Sequence, residues 1–182
     1  MSHWRTVLEA VVRDRRADLV GYACLYTSDR AAAEDLVQEA LVRVFSRTRN
    51  LTTAPEAEQY VRRAIRTAFL DLARKRRTWR GKEHLFAEAS ETSGPEDAVQ
   101  AGLDVRAALA ALSPRQRACI VLRHFDDLPV AEIAGELGVT AGAVKRYLNE
   151  GTAKLRVSLD VPDFDDRTEW ITVPEPEQRW QR

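Results

Sequence analysis

The sequence is poor in the residues that carry covalent chemistry. Its 182 residues include only two cysteines, three histidines and one methionine. His3, His84 and His124 are scattered and form no metal-ligand spacing, so no metal is expected. Cys24 and Cys119 lie far apart in apolar, helical surroundings and read as buried reduced thiols rather than a disulfide. No His, Cys or carboxylate set has catalytic spacing, so neither an enzyme nor a cofactor is expected. No apolar run approaches the roughly 18 residues that span a bilayer, which excludes membrane insertion. The opening "MSHWRTVLEAVVRDRR" has charges inside its apolar segment, unlike a signal peptide. These absences together predict a cytoplasmic protein that binds rather than catalyses. Strand-type alternation and internal repeats are absent too.

What is present is helical pattern and arginine. The apolar fraction of 45% supports a packed core. Formal net charge is zero, which is unusual for a nucleic-acid binder, but the total hides blocks of opposite sign. Residues 1–80 hold 16 Lys/Arg against 10 Asp/Glu, and residues 101–157 hold 8 against 6. Residues 81–100 hold 1 against 5, and residues 158–182 hold 3 against 7.

The pattern predicts an all-α chain with two small helical domains joined by a flexible acidic linker. Residues 1–80 read as three helices. The first runs from about Trp4 to Tyr26. The second is capped by Ser28, has Asp29 in its first turn and reaches Phe45. The third has Pro55 at its first position and reaches about Arg77. Residues 81–97, "GKEHLFAEASETSGPED", form the linker. Residues 98–157 form the second unit. There "SPRQ" at 113–116 combines an N-cap Ser, Pro at the next position and Gln at the third, a capping box. Residues 158–182 are an acidic tail with three prolines and two tryptophans, without a core of its own.

Two stretches carry chemistry. "ELGVTAGAVKRYLNEGTAKLR" (136–156) has the order of a helix-turn-helix. Ala134 is the small residue at the helix crossing, Gly138 the turn residue tolerant of positive φ, and Val144 the lock. Ile133, Leu137, Val139 and Leu148 complete its interior, and Thr140 caps the second helix. Groove contact then falls to the start of that helix. Thr140, Ala141 and Ala143 permit close approach, while Lys145, Arg146 and Asn149 reach phosphates or base edges. Glu150 repels phosphate unless it faces a base amino group or a neighbouring cation. The alternative is a helical hairpin within a bundle.

The other stretch is "YVRRAIRTAFLDLARKRRTWR" (60–80). At about 100° per residue, Arg62, Arg66, Arg77, Arg63 and Arg74 share a sector of about 120°. Val61, Ile65, Ala68, Phe69 and Leu72 lie opposite. A solvated face ordinarily mixes signs, and here Asp71 is the sole acid, so the stripe is either solvated or DNA-facing. Trp79 can pack or stack on a base.

At this point the chain resembles an extracytoplasmic-function (ECF) sigma factor of bacterial RNA polymerase, over about residues 5–157. "DLVQEALVRVF" (35–45) is similar to the family's core-polymerase helix. "YVRRAIRTAFLDLARKRR" (60–77) is similar to the helix beside the minus-ten promoter element. "ALAALSPRQRACIVLRHFDDLPVAEIAGELGVTAGAVKRYLNEGTAKLR" (108–156) is similar to the domain that reads the minus-thirty-five element. The resemblance implies core polymerase as partner, through its beta-prime clamp helices and beta flap, together with promoter DNA and an inhibitory anti-sigma factor. It assigns Asp35, Gln38, Glu39 and Arg43 to polymerase. It places Asn50, Thr52 and Thr53 where a flipped minus-ten base is captured. Arg62, Arg63, Arg66, Arg74 and Arg77 fall beside the minus-ten element, and Thr140, Ala141, Lys145, Arg146 and Asn149 at the minus-thirty-five element. The chain departs from the family's usual residues at Tyr60, Thr67, Arg146-Tyr147 and Glu150. Two other readings stand beside this one. One is a helix-turn-helix regulator independent of polymerase; the other is a degenerate sigma-like interaction protein.

Overall fold

A computed structural model describes residues 3–27, 29–47, 51–82 and 100–159. Among these residues the fold is all-α, eight helices with no strand. Residues 83–97 of the predicted linker, 98–99 at the start of the predicted second unit and 160–182 of the predicted tail lie outside the described residues.

The single first helix expected from the pattern is two, α1 (His3–Asp14) and α2 (Arg16–Ala23). Arg15, at φ −120° and ψ −3°, breaks the helical geometry between them. The bend lets α1 lie on the fourth helix while α2 packs on the third as well. Helix α3 spans Arg30–Arg47. Its expected cap, Ser28, lies outside the described residues. Asp29, expected inside the first turn, is instead the capping residue, its Oδ1 accepting the Ala32 N–H at 2.8 Å. Helix α4 runs from Ala54 to Lys82, beyond the expected end at Arg77, because no breaker intervenes before Gly81. Helices α3 and α4 form the main packing pair of the first unit. Val37, Ala40, Val61 and Ile65 are within 1% of complete burial there.

The second unit comprises α5 (Gln100–Ala110), α6 (Pro114–His124), α7 (Val130–Leu137) and α8 (Ala141–Ser158). The capping box forms as the sequence predicts. Ser113 Oγ accepts the Gln116 N–H at 3.4 Å, and Gln116 Oε1 accepts the Ser113 N–H at 3.1 Å. Gly138 ends α7 in the left-handed region at φ 61°. A side chain there carries a steric penalty that glycine avoids. Ile133 and Val144 are fully buried where α7 and α8 cross, and Leu148 is 4% exposed.

The two units are not held by the linker alone. Helix α4 packs on α6, and one buried cluster runs from Val7 in α1 to Leu148 in α8. The two helical units expected from the sequence are thus in direct contact.

Candidate nucleic-acid and polymerase interface

The helix-turn-helix displays the start of α8. Thr140 Oγ1 accepts the Ala143 N–H at 3.2 Å, which fixes the first turn. Val144 and Leu148 point into the core, so Thr140, Ala141, Lys145, Arg146 and Asn149 are left exposed together. Their display is thus set by two apolar anchors and one cap. Arg146 lies 5.3 Å from the Tyr147 ring centre and 3.9 Å from Glu150. Glu150 also accepts a 2.8 Å hydrogen bond from Gln116 Nε2 on α6. Its carboxylate is therefore tied to a neighbouring cation and to a buried amide. Gln116 is only 5% exposed and receives Lys154 Nζ at 3.3 Å as well. One residue closes the α6 cap and anchors α8.

The arginine stripe of α4 is divided, and the single outward face expected from the sequence is corrected. Arg74 and Arg77 are exposed on the last turns, Arg74 pairing with Asp71 at 2.9 Å, and Trp79 is 67% exposed beside them. Arg62 and Arg66 are turned inward toward the second unit, while Arg63 stays exposed and only reaches across to it. Arg66 is 5% exposed and ion-paired to Glu136 of α7, and Arg63 Nε reaches the same carboxylate oxygen at 3.2 Å. Arg62 lies 2.7 Å from Glu58 and 3.5 Å from Asp126. The helical wheel places these arginines on one sector correctly, but Glu58 of the same helix and Asp126 and Glu136 of the second unit pair with three of the five.

Helix α3 offers a different surface. Asp35, Gln38 and Glu39 are exposed, at the three- and four-residue spacings that share a face. Val42, one turn beyond Gln38, is 65% exposed and was not anticipated from the pattern. An exposed apolar residue among polar ones is the available signal. Arg43 is half-buried, 3.6 Å from Asp71, and lines a groove between α3 and α4 with Glu39, Leu72 and Lys75.

The loop before α4 is used for capping. Asn50 lies outside the described residues. Thr52 N–H and Oγ1 both donate to Glu56, at 3.1 and 3.0 Å, and Thr53 Oγ1 accepts the Glu56 N–H at 3.3 Å. The Thr52 bonds come first among the causes that hold the Glu56 carboxyl below the usual range. Leu51, 2% exposed, pins the loop to the core.

Both cysteines are free and buried, and burial pushes the Cys119 thiol up to about 11. No group of three or more potential metal ligands occurs among the described residues. No helix there is long and apolar enough to cross a membrane.

Comparison with known proteins agrees with this geometry. Residues 11–79 match the sigma-70 region 2 model, and residues 102–155 match the sigma-70 region 4 model. The RNA polymerase sigma-E factor of Streptomyces avermitilis is 32% identical over 92% of this chain and 93% of its own length. The ECF RNA polymerase sigma factor SigL of Mycobacterium tuberculosis is 31% identical, over 84% of this chain and 89% of that protein. The chain belongs to the ECF sigma factors of the sigma-70 family.

Among solved structures, the sigma factor RpoE of Bartonella quintana, crystallised with the anti-sigma factor NepR, shares the fold. Its TM-score is 0.62 at 22% identity, covering 85% of this chain and 96% of that one. As a sigma factor the protein binds core RNA polymerase and directs initiation at promoter DNA. Region 2 maps onto most of α1 to α4, and region 4 onto α5 to α8.

Proposed function

We propose that this sigma factor divides its work among three surfaces. Asp35, Gln38 and Glu39 on α3, with Arg43 at the edge, dock on the beta-prime clamp helices of core polymerase. Thr140, Ala141, Lys145, Arg146 and Asn149 read the minus-thirty-five element. Arg74 and Arg77, with Arg62, Arg63 and Arg66 once their acids are displaced, follow the backbone beside the minus-ten element. Asn50, Thr52 and Thr53 line the place where an unpaired base is held. The protein does no covalent chemistry. It positions polymerase and traps melted bases, which offsets an unstacking cost of about a few kcal/mol. The observation that supports this best is the exposed set on α8, displayed by a capped turn and two buried anchors. The NepR partner of the Bartonella protein extends the reading to an anti-sigma factor covering these same surfaces.

The test is transcription with sigma-free core polymerase on fragmented genomic DNA, with 5′ ends mapped. Discrete starts sharing two upstream elements are expected. If polymerase binds and no discrete starts form, the chain is an interaction protein only. If polymerase does not bind, the α3 assignment is wrong.

A further inference from the structure

The last turns of α8 present an apolar surface that nothing covers among the described residues. A shallow groove of about 360 Å³ lies between the end of α5 and the end of α8, lined by Ala111, Ala153, Lys154, Val157 and Ser158. Val157 is 84% exposed, more than any other large apolar side chain among the described residues. A single exposed valine needs no explanation. This one stands beside two alanines, whose short side chains leave a concave seat. The other helix repeats the pattern. Val105 of α5 is three, four and seven residues before Ala108, Leu109 and Leu112, so it shares their face. Those three are buried, yet Val105 is 43% exposed. Both helices that border the groove thus leave an apolar residue uncovered.

Position, reach and charge all single out the tail that follows α8. Ser158 lines the groove and is the last residue of α8, so residues 160–182 start at the rim of the groove. From Ser158 back to Ala153 the α8 side of the groove is about 7.5 Å long, at about 1.5 Å per residue. Phe164 follows Leu159 by a stretch of chain that spans up to about 17 Å. Its ring can therefore meet any part of the groove once the chain reverses. Pro162 lies between them and cannot continue the helix. Asp160, Asp163, Asp165 and Asp166 flank Phe164. Four carboxylates beside the negative end of the α8 dipole are opposed unless cations meet them. Lys154 lines the groove and Arg156 stands in the last turn. Lys154 is exposed and commits one proton to Gln116 at 3.3 Å, which leaves two of its three donors for a carboxylate.

We propose that residues 160–167 fold back along α8 and seat Phe164 in the α5–α8 groove, with the flanking aspartates on Lys154 and Arg156. The tail then covers the apolar end of region 4 in cis, and any partner that uses this face must first displace it. The seat is independent of the promoter and polymerase assignments above.

The experiment uses the full chain with one added thiol, Ala153→Cys, in the groove. Cys24 and Cys119 are buried, so the added thiol is the one that reacts quickly. Its rate with a bulky, uncharged maleimide is compared in three backgrounds: the parent tail, Phe164→Ala, and removal of residues 160–182. Ala131→Cys, exposed on α7, is the control site. Thermal melting by circular dichroism verifies that each variant is folded. Removal of the tail and Phe164→Ala should each raise the Ala153→Cys rate about fivefold or more, as for a groove covered about 80% of the time. The Ala131→Cys rate should not move. An Ala153→Cys rate unchanged in both backgrounds overturns the proposal. A rise on tail removal that high salt reproduces and Phe164→Ala does not makes the tail a diffuse charge only, and overturns the seat. Protection that depends on protein concentration and survives tail removal places a second copy on this face, and overturns it as well.

Discussion

Gln116 and Glu150 are joined side chain to side chain at 2.8 Å, across the packing of α6 on α8. The bond answers a question the sequence raises, since Glu150 stands on the reader helix where an acid opposes phosphate. Its carboxylate is turned to a buried amide and to Arg146, and acts as part of the scaffold.

Replacing Glu150 by alanine should therefore have two effects of opposite sign. Buried Gln116 loses a charged partner, a loss worth about 1–3 kcal/mol in urea unfolding. Affinity for minus-thirty-five DNA should rise at low salt, because a repulsive charge is gone and Arg146 is released. A loss of both stability and affinity would mean that Glu150 itself faces a base.

Gly151 follows directly and is buried against α6. A Cβ built there meets Ile120 Cγ1 at 3.0 Å and Gln116 Cβ at 3.6 Å. Glycine inside a helix costs about 1 kcal/mol relative to alanine. Gly151→Ala gains that propensity and must push Ile120 aside, so a small net change is expected. Gly151→Val should cost about 1–3 kcal/mol through overpacking, measured by thermal or urea unfolding. A neutral valine would show that the α6–α8 contact is looser than the structure has it.

The local grammar of the second unit was legible because each signal is short-range. Ser113-Pro114-Gln116 dictates a cap, Gly138 a turn, and Val144 and Leu148 the buried side of α8. The break at Arg15 was not legible, because residues 4–26 keep a helical pattern and the bend is set by what α1 and α2 pack against. Asp29 was placed one position too far into α3 because neighbouring Asp and Ser residues are near-equal capping candidates in sequence. The division of the arginine stripe was invisible for another reason. Glu136 lies 70 residues from Arg66 in sequence. No helical wheel contains a partner from another helix. Gln116 was read only as a capping residue, and its second bond to Glu150 is likewise a tertiary fact.

The α3 face separates binding from folding. Asp35, Gln38 and Glu39 are exposed. Exposed substitutions away from caps and ion networks usually change stability by about 0.5 kcal/mol or less. Asp35→Arg combined with Glu39→Arg should leave the melting temperature nearly unchanged and abolish co-purification with core polymerase. DNA binding by the isolated protein should remain. Retained polymerase binding would move the docking surface elsewhere, with the groove beside Arg43 the next surface to alter.

The contact between the two units can be followed through Tyr22, whose hydroxyl donates to Asp126 at 2.9 Å. Burial first, then the Asp126 charge, push its phenol from 10.0 up to about 12. The folded value lies above the unfolded one, so folding favours the neutral phenol. That contribution is complete below about pH 10 and is lost as pH rises to about 12, on the order of 2 kcal/mol. Tyr22→Phe removes the titrating group together with one donor to Asp126. Unfolding midpoints measured from pH 8 to 12 should fall more steeply for the parent than for Tyr22→Phe. Tyr26 hydrogen-bonds Tyr22 at 3.1 Å, and burial first, then Tyr22, raise its phenol, so the variant loses part of the Tyr26 contribution too, in the same direction. Parallel curves would mean that the Tyr22 hydroxyl is open to water in solution, and that the units stand apart more often than the Tyr22–Asp126 bond implies.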